Sequence, residues 1–282
     1  MKHSLQVTTY TPDMGRNLGL GVWRQIITEL LSAKELILRL MLRDISVRYR
    51  QSLLSYAWAL ITPLILVMLF TFLVSRRVLP VDETILPYPL FVLWNITVWR
   101  LFSGILIDGT ESLVRAGSLV TKLNFPKEAL VISAIGLPFF EFVIRLALIA
   151  VAFVWYGLVP SAGIFYIPVI LIIIVLMAIG IAFYLSVANL VIRDIGNSLG
   201  IILSIMVFLT PVFYPPPDSS PFYLVNILNP LSPLLIATQD LFSQGRLSET
   251  SLLIASSLLS LLIFFSGWRV FHLTLPRVTE RA

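Results

Sequence analysis

Six long apolar segments dominate the pattern of hydrophobic and polar positions along the chain. They lie at about residues 55–75, 87–107, 130–156, 164–190, 197–214 and 250–271. A helix needs about 20 residues to cross the roughly 30 Å hydrocarbon core of a bilayer. The segments do not show the alternation that is typical of barrel strands, and unpaired backbone is costly in lipid. The pattern therefore predicts an all-α integral membrane protein with six transmembrane helices.

The stretch 221–245, between the fifth and sixth segments, is apolar but interrupted. Asn226, Asn229, Pro230 and Pro233 fall within it. Because proline removes a backbone donor and disfavours helix in the residue before it, a continuous spanning helix is not expected here. We predict two outer re-entrant half-helices that dip into the outer leaflet and return.

The stretch ahead of the first segment, residues 35–50, has a helical pattern of a different kind. At about 100° per residue, its main polar positions fall within one stripe of roughly 80°. The stripe contains Glu35, Arg39, Arg43, Ser46 and Arg50. We predict an amphipathic interface helix on the cytoplasmic leaflet, with its arginines toward water and the phosphates of membrane lipids. A plain membrane anchor and a docking site for another protein fit this pattern equally well.

The placement of Lys and Arg orients the predicted spans. Six spans put both termini on one side, and fifteen of the twenty Lys and Arg residues then fall on that side. Cytoplasmic loops carry the excess of positive charge, so both termini are predicted to be cytoplasmic. The N-terminal residues do not contain an apolar region that ends at a small-residue cleavage site, so no removable signal is expected.

The composition agrees with a bilayer location and narrows the chemistry. Hydrophobic residues make up 58% of the 282-residue chain and charged residues 12%, which is too apolar for a soluble domain. The sequence has no cysteine, which excludes disulfides and thiolate sites. It has no P-loop and no HExxH motif, and His3 and His272 lie near the two ends. We expect no catalytic residue, no metal site, no cofactor in this chain and no nucleic-acid partner.

Three charged residues deep inside the predicted spans are functional candidates, because a charge is expensive at membrane depth. Glu141 and Arg145 lie four residues apart on the third span, a spacing that allows an ion pair within one helix. We interpret them as a structural intramembrane pair rather than a proton relay. Arg100 has no such partner in its own span, so it faces either an anionic substrate or a paired subunit.

Aromatic residues, 12% of the chain, are mostly expected in interfacial belts and in packing. A minority could line a path, because flat rings stack on the faces of sugars. The candidate path residues are Trp58, Trp94, Trp99, Arg100, Phe208, Phe213 and Tyr214.

Five short motifs carry a resemblance to a known family. They are 48–58 (RYRQSLLSYAW) followed by Thr62 and Pro63, 123–128 (LNFPKE), Arg193 with Asp194, 210–214 (TPVFY), and 228–231 (LNPL). From about residue 40 onward the chain resembles the permease family of polysaccharide and polyol-phosphate ABC exporters, which serve O-antigen, capsule and teichoic acid export. Ser55 stands where the family usually has Gly. The order of the motifs makes the resemblance specific.

The resemblance implies a homodimeric permease in the cytoplasmic (inner) membrane of a bacterium. Residues 1–34 would be a cytoplasmic lead, and 35–282 a single transmembrane domain. Two copies of a separate ABC ATPase would hold ATP and Mg, and their cycles would move a lipid-linked glycan or polyol phosphate outward. The implied coupling residues are Arg43, Arg48, Tyr49, Asn124, Phe125, Pro126, Lys127, Glu128, Arg193 and Asp194.

Three alternatives stay open at the level of sequence. The first is an ABC exporter of the same type that carries drugs or small lipids. The second is a membrane-embedded glycan-processing enzyme that uses Glu141, Asp108 or Glu111. The third is a passive channel or scaffold, which would need no ATPase.

Overall fold

The predicted all-helical architecture is confirmed in the computed structural model, which describes residues 21–50, 54–79, 81, 84–117, 125–216 and 222–279. No strand occurs among these residues. The helices are α1 (Gly21–Ser32), α2 (Lys34–Tyr49), α3 (Leu54–Ser75), α4 (Tyr88–Ala116), α5 (Glu128–Ser133), α6 (Gly136–Tyr156), α7 (Ile167–Val191), α8 (Asp194–Leu209), α9 (Phe222–Leu228), α10 (Leu231–Ser243) and α11 (Thr250–Thr279). A short 3₁₀ helix, Ala162–Tyr166, leads into α7.

Among the residues that the structure describes, five helical stretches are long and apolar enough to cross a membrane. They are Ala57–Ser75, Tyr88–Ala116, Glu128–Tyr156, Ala162–Val191 and Thr250–Pro276. The segment predicted at 197–214 forms the shorter helix α8, whose 16 residues reach about 24 Å at 1.5 Å per residue. It ends early because Thr210 precedes Pro211, which disfavours a helical conformation in the residue before it. Five spans are therefore evident, and a sixth stays a prediction.

Helix α4 occupies the centre of the fold. It packs against α3, α6, α7 and α8, and it also contacts the short helices α5 and α10. Nineteen of its 29 residues are buried, so this helix forms the core around which the other elements pack. It extends to Ala116, well beyond the predicted end of the second segment at about residue 107.

The most extensive contact joins α7 to α11. Gly180 makes it possible, because a Cβ atom at this position would lie 2.6 Å from Cα of Phe264. Gly267 lies opposite, and a Cβ there would clash with the carbonyl oxygen of Gly180. Small residues let helix backbones approach closely in a membrane, where packing is the main force between helices.

The interrupted stretch 221–245 forms two short helices, as predicted. Helix α9 ends at Leu228 and α10 begins at Leu231, so the break falls at Asn229 and Pro230. The Oδ1 atom of Asn229 accepts a hydrogen bond from the backbone N–H of Leu231 at 3.1 Å, which satisfies one of the free donors at the start of α10. Insertion of these helices into the outer leaflet stays a prediction.

The stretch predicted as an interface helix is helical and corresponds to α2. It packs on α5 and α6 and buries Leu40 and Tyr49. Helix α1, for which the sequence suggested no role, precedes it. The ring of Trp23 on α1 lies 5.6 Å from the rings of both Phe265 and Trp268 on α11. The described part of the N-terminal lead is therefore packed against the last long helix.

Candidate functional site

Three cavities that share Arg100 form a groove along one side of α4. The first, of about 370 Å³, lies among α2, α3 and α6. The second, of about 180 Å³, shares four charged residues with the first. The third, of about 210 Å³, continues between α3 and α8. We call this the Arg100 groove; it has a charged part and an aromatic part.

The charged part is built on the predicted pair of Glu141 and Arg145, which the structure brings together. Nη2 of Arg145 donates to Oε2 of Glu141 at 2.5 Å, and Nε donates to the carbonyl oxygen of Ala59 at 3.4 Å. The hydroxyl of Tyr49 donates to Oε1 of Glu141 at 3.4 Å. Burial, together with the negative charge of Glu141, raises the pKa of Tyr49 to about 12, so this phenol is neutral.

Two further arginines line the same cavity. Arg48 at the end of α2 and Arg100 on α4 are both exposed. Neither forms an ion pair or a hydrogen bond with the residues that the structure describes. Arg48, Arg100 and Arg145 supply three positive charges and Glu141 supplies one negative charge. The charged part therefore carries a net charge of two positive units.

The second cavity adds Asp108, which does not change this balance. Its carboxylate accepts from Nη2 of Arg115 at 3.0 Å, and the carbonyl oxygen of Asp108 accepts from the same atom at 2.7 Å. Glu111 lies 3.8 Å from Arg115 in the following turn. Asp108 and Glu111, two of the acids named for the enzyme alternative, are thus both engaged with Arg115.

The aromatic part of the groove is formed by rings from α3, α4, α8 and the turn that follows α8. Phe70 stacks on Phe213 with ring centroids 3.9 Å apart, and Phe208 lies 5.5 Å from Phe213. Trp99 lines the same cavity. Three of the predicted path residues, Trp99, Phe208 and Phe213, are therefore brought together beside Arg100.

The remaining path candidates lie in different surroundings. Trp58 is exposed and lines the charged part of the groove. Trp94 is 3% exposed and lies outside the groove; its indole N–H donates to the hydroxyl of Thr238 at 3.0 Å and its ring stacks on Phe242. The hydroxyl of Tyr214 donates to the carbonyl oxygen of Phe208 at 3.1 Å. Trp94 thus packs against α10 and is not grouped with the other candidates.

The motif 210–214 forms a turn whose backbone carbonyl groups receive side-chain donors from other elements. The hydroxyl of Tyr88 donates to the carbonyl oxygen of Phe213 at 2.8 Å, and Nδ2 of Asn95 donates to that of Val212 at 3.3 Å. Both donors belong to α4. The helix end that carries the aromatic part of the groove is therefore held against the central helix.

Helix α10 and Asn229, two residues before it, hold the same turn from another side. Nε2 of Gln239 donates to the carbonyl oxygen of Pro211 at 3.1 Å. Nδ2 of Asn229 donates to the hydroxyl of Thr210 at 2.8 Å. The motifs 210–214 and 228–231 are thus joined by a direct hydrogen bond, and Gln239 and Asn95 were not singled out by the sequence.

The predicted coupling residues around Pro126 lie at the start of α5. The carbonyl oxygen of Pro126 accepts from the N–H of Ala129 at 3.1 Å, which begins the first turn. The ammonium of Lys127 lies 4.1 Å from the ring centroid of Phe125. Burial lowers the pKa of Lys127, and the carboxylate of Glu128 acts in the opposite direction. Asn124 lies outside the described residues.

Glu128 connects α5 to the last long helix. It is 6% exposed, and its Oε1 atom lies 2.8 Å from Nδ1 of His272 on α11. A carboxylate accepts only, so the ring nitrogen is the donor. The sequence did not predict this contact because α11 was expected to end at about residue 271, whereas it continues to Thr279.

Arg43, Arg193 and Asp194, also predicted to be coupling residues, are exposed. Arg43 pairs with Asp44 at 2.8 Å. Arg193 is the N-cap residue of α8 and Asp194 lies in its first turn, where an acidic side chain favours the helix dipole. Asn189, which the sequence did not single out, fixes this helix start: its Oδ1 atom accepts from the N–H of Gly196 at 2.8 Å.

The described residues contain no group of three or more His, Asp or Glu side chains that could hold a metal ion. The groove instead offers guanidinium groups and rings. Guanidinium groups bind carboxylates and phosphates through charge-assisted hydrogen bonds, and rings stack on flat apolar faces. The arrangement suits an elongated ligand that has an anionic part.

Comparisons with known proteins give a consistent result. A family model described as "ABC-2 type transporter" matches residues 35–242. The "O-antigen export system permease protein RfbA" of Myxococcus xanthus is 28% identical over 255 residues, which cover 88% of this chain and 95% of that protein. A protein of the same description from Klebsiella pneumoniae is 27% identical over 212 residues, 73% of this chain and 79% of that protein.

Proposed function

The chain belongs to the ABC-2 type transporter family, and we propose that it is the membrane subunit of an ATP-driven exporter of a lipid-linked polysaccharide or polyol phosphate. The similar proteins of Myxococcus xanthus and Klebsiella pneumoniae are described as permeases for O-antigen export. On this proposal the chain is a transport permease and not an enzyme. ATP and Mg bind to two copies of a partner ABC ATPase.

The observation that carries this proposal is the Arg100 groove. Arg100 lies 12 residues into the most central helix, yet its side chain is exposed. An arginine facing lipid at the bilayer centre costs about 2.5–3.5 kcal/mol or more. Such a residue is expected where the exposed face meets water, substrate or a second subunit. A groove with rings beside it fits the wall of a path for sugars.

The path is completed by a second copy of the chain on this proposal. The cavities of the Arg100 groove are partly open, so a single chain would supply one wall. Two copies related by a twofold axis would oppose two such walls across a common channel. Both termini would be cytoplasmic and the complex would lie in the cytoplasmic membrane of a bacterium.

Coupling to the ATPase would run through α5 and α2. These two helices pack on each other, and α5 is joined to α11 by the contact between Glu128 and His272. A displacement at Lys127 would therefore be transmitted both to α2, which borders the charged part of the groove, and to α11. Phe125, Pro126 and Lys127 form the surface that would meet the ATPase.

The first test is purification of the detergent-solubilised protein from its native cells, followed by an assay of the eluate for an ABC ATPase. We expect a stoichiometric ATPase that is lost when Pro126 and Lys127 are both changed to alanine. Arg246→Ala, on the side predicted to be outside, is the control and should retain the ATPase. Recovery of no ATPase with the wild-type chain still folded would contradict the proposal.

The second test concerns the cargo. Deletion of the gene should leave the lipid-linked glycan inside the cell, and the wild-type gene should restore its exposure to an external lectin or antibody. A normal surface glycan in the deletion strain, together with a change in the export of drugs or small lipids, would move the function to that alternative.

A further inference from the structure

A cavity separate from the Arg100 groove lies between α4 and α10. It has a volume of about 230 Å³ and is partly open. Its lining also includes the segment 84–86 ahead of α4, Pro215 and Pro216 after the turn 210–214, and Ser248. It shares no lining residue with the three cavities of the groove. We call it the Asp240 pocket.

The wall of the Asp240 pocket is mostly apolar. The buried ring of Trp94 stacks on that of Phe242 with ring centroids 4.1 Å apart. Ile236, Pro215 and Pro216 add aliphatic surface. An apolar wall with a few polar groups is typical of small-molecule sites, but the volume is below the roughly 300–1,000 Å³ of sites for drug-sized ligands. The pocket therefore suits a ligand the size of a single sugar ring.

The hydroxyl groups around the pocket already donate within the protein. The hydroxyls of Thr84 and Ser243 each donate to a nearby backbone carbonyl oxygen at 2.7 Å. Ser248 donates its N–H to Oδ2 of Asp240 at 2.8 Å, and its hydroxyl donates to the same atom. A hydroxyl that donates keeps its lone pairs. These hydroxyls can therefore only accept from a ligand.

Two further acceptors line the same pocket. Oδ1 of the half-buried Asp240 has no hydrogen-bond or ion-pair partner among the described residues. Nε2 of Gln239 donates to the carbonyl oxygen of Pro211, which can only accept, so Oε1 is the free acceptor of this amide. Apart from the amide groups of Gln239 and Gln244, the polar side chains that line the pocket offer acceptors.

The supply of acceptors identifies the chemical class of the ligand. Each hydroxyl of a sugar brings one donor, and the C–H face of its ring suits an apolar wall. A phosphate diester or a carboxylate brings acceptors and a negative charge, and it would meet the charge of Asp240, the one charged residue of the described lining. The pocket therefore has the opposite preference to the Arg100 groove.

We propose that the Asp240 pocket is a second binding site for the exported glycan and takes one neutral sugar residue by its hydroxyls. This inference rests on the proposed function, which supplies the glycan and the topology that puts α10 at the outer end. Oδ1 of Asp240 and Oε1 of Gln239 would accept from two hydroxyls. A sugar held here would oppose the return of the glycan between two cycles of the ATPase.

Gln239 connects this pocket to the outer end of the groove. Its side chain lines the pocket, and its Nε2 atom holds the carbonyl oxygen of Pro211 at 3.1 Å. The turn 210–214 carries Phe213, which belongs to the aromatic part of the groove. A sugar in the pocket would therefore touch the side chain that anchors this turn.

The test is saturation-transfer-difference NMR on the full-length permease in nanodiscs, with the methyl glycosides of glucose, galactose, mannose and rhamnose as probes. The wild-type protein should bind at least one of them. Asp240→Asn keeps an acceptor for Ser248 but replaces Oδ1 with an N–H donor, and it should raise Kd at least about tenfold. The matched control is Glu249→Gln, at an exposed residue outside the pocket, which should leave Kd within about twofold.

Gln244→Ala provides a second measurement at the exposed rim of the pocket. It should raise Kd for the same glycoside about threefold or more, because it removes one neutral hydrogen-bonding group. If Asp240→Asn fails to yield folded protein, Gln244→Ala gives the comparison with Glu249→Gln.

Three outcomes would overturn the proposal. Folded wild-type protein that binds none of the four glycosides would exclude a sugar site. A Kd that neither Asp240→Asn nor Gln244→Ala changes would place the bound sugar elsewhere. Binding of ethanolamine that depends on Asp240, without binding of the glycosides, would identify a site for small amines instead.

Failure of this inference can be told apart from failure of the proposed function. A permease that binds its ATPase and exports glycan, but binds no glycoside, would remove the pocket as a sugar site and leave the exporter intact. Absence of any partner ATPase would remove the exporter, while binding of the glycosides to the permease alone would still be measured.

Discussion

The contact between Glu128 and His272 offers the sharpest single test of how α5 and α11 are connected. The change is His272→Ala, which removes the donor 2.8 Å from a carboxylate that is 6% exposed. A hydrogen bond to a charged group contributes about 1.5–3 kcal/mol. Because the His272 side chain is 24% exposed, water can replace part of the interaction, and we expect a loss near the lower end, about 2 kcal/mol.

The measurement is a double-mutant cycle on thermal stability in detergent. His272→Ala should lower Tm by roughly 4–8 °C, since each kcal/mol corresponds to about 2–4 °C for a chain of this size class. In the background of Glu128→Gln, which removes the negative charge, His272→Ala should lower Tm by much less. His272→Gln retains a donor and should keep part of the stability.

The functional readout separates a coupling role from a purely structural one. If α5 transmits motion to α11 through this contact, His272→Ala should retain ATP hydrolysis by the complex but export less glycan per ATP. If the effects of His272→Ala and Glu128→Gln on stability are strictly additive, the two side chains do not stabilise the protein through their contact. Unchanged export per ATP in a destabilised variant would refute the coupling argument and leave the contact as a structural one.

Three further predictions follow from the same geometry. Gly180→Ala places a Cβ 2.6 Å from the backbone of α11 and should destabilise the protein by about 1–3 kcal/mol. The control, Gly200→Ala, adds a Cβ that meets nothing within 4 Å and should stabilise the protein by up to about 1 kcal/mol. Equal Tm values for the two variants would contradict this prediction. Gln239→Met keeps the side-chain volume but removes the hydrogen bond to the carbonyl oxygen of Pro211. We expect the free energy of unfolding to fall by about 1–3 kcal/mol, which is measured as a lower Tm. Glu141→Ala leaves the buried guanidinium of Arg145 without its ion-pair partner and should lower the free energy of unfolding by about 3–5 kcal/mol. Unaltered yield and Tm would show that the ion pair is dispensable.

Much of the fold follows from patterns that act over short distances. Apolar length predicted most of the long helices, and prolines predicted the break that the structure places at Asn229 and Pro230. The ion pair of Glu141 and Arg145 was predictable because both residues lie on one helix, four positions apart. In each case the information lies within a few turns of chain.

Contacts between distant parts of the chain could not be obtained in this way. Trp94 looked like the other aromatic candidates, and only its contact with Thr238 places it outside the groove. The proximity of Glu128 to His272 joins residues 144 positions apart. Arg48 was grouped with the coupling residues, yet the fold also brings it to the cavity of Arg100. Such groupings depend on packing, which a single sequence does not specify.

Helix α8 is fixed at its two ends and little held between them. Asn189 binds both Gly196 at its start and the carbonyl oxygen of Thr110 on α4, while the turn that follows it is hydrogen-bonded to α4 and α10. Within the helix only Leu199 and Leu203 are buried. The hydrogen bonds that anchor α8 to other helices therefore lie at its two ends. On the proposed function, its middle is the stretch of the groove wall that sugar units of different size would displace most readily.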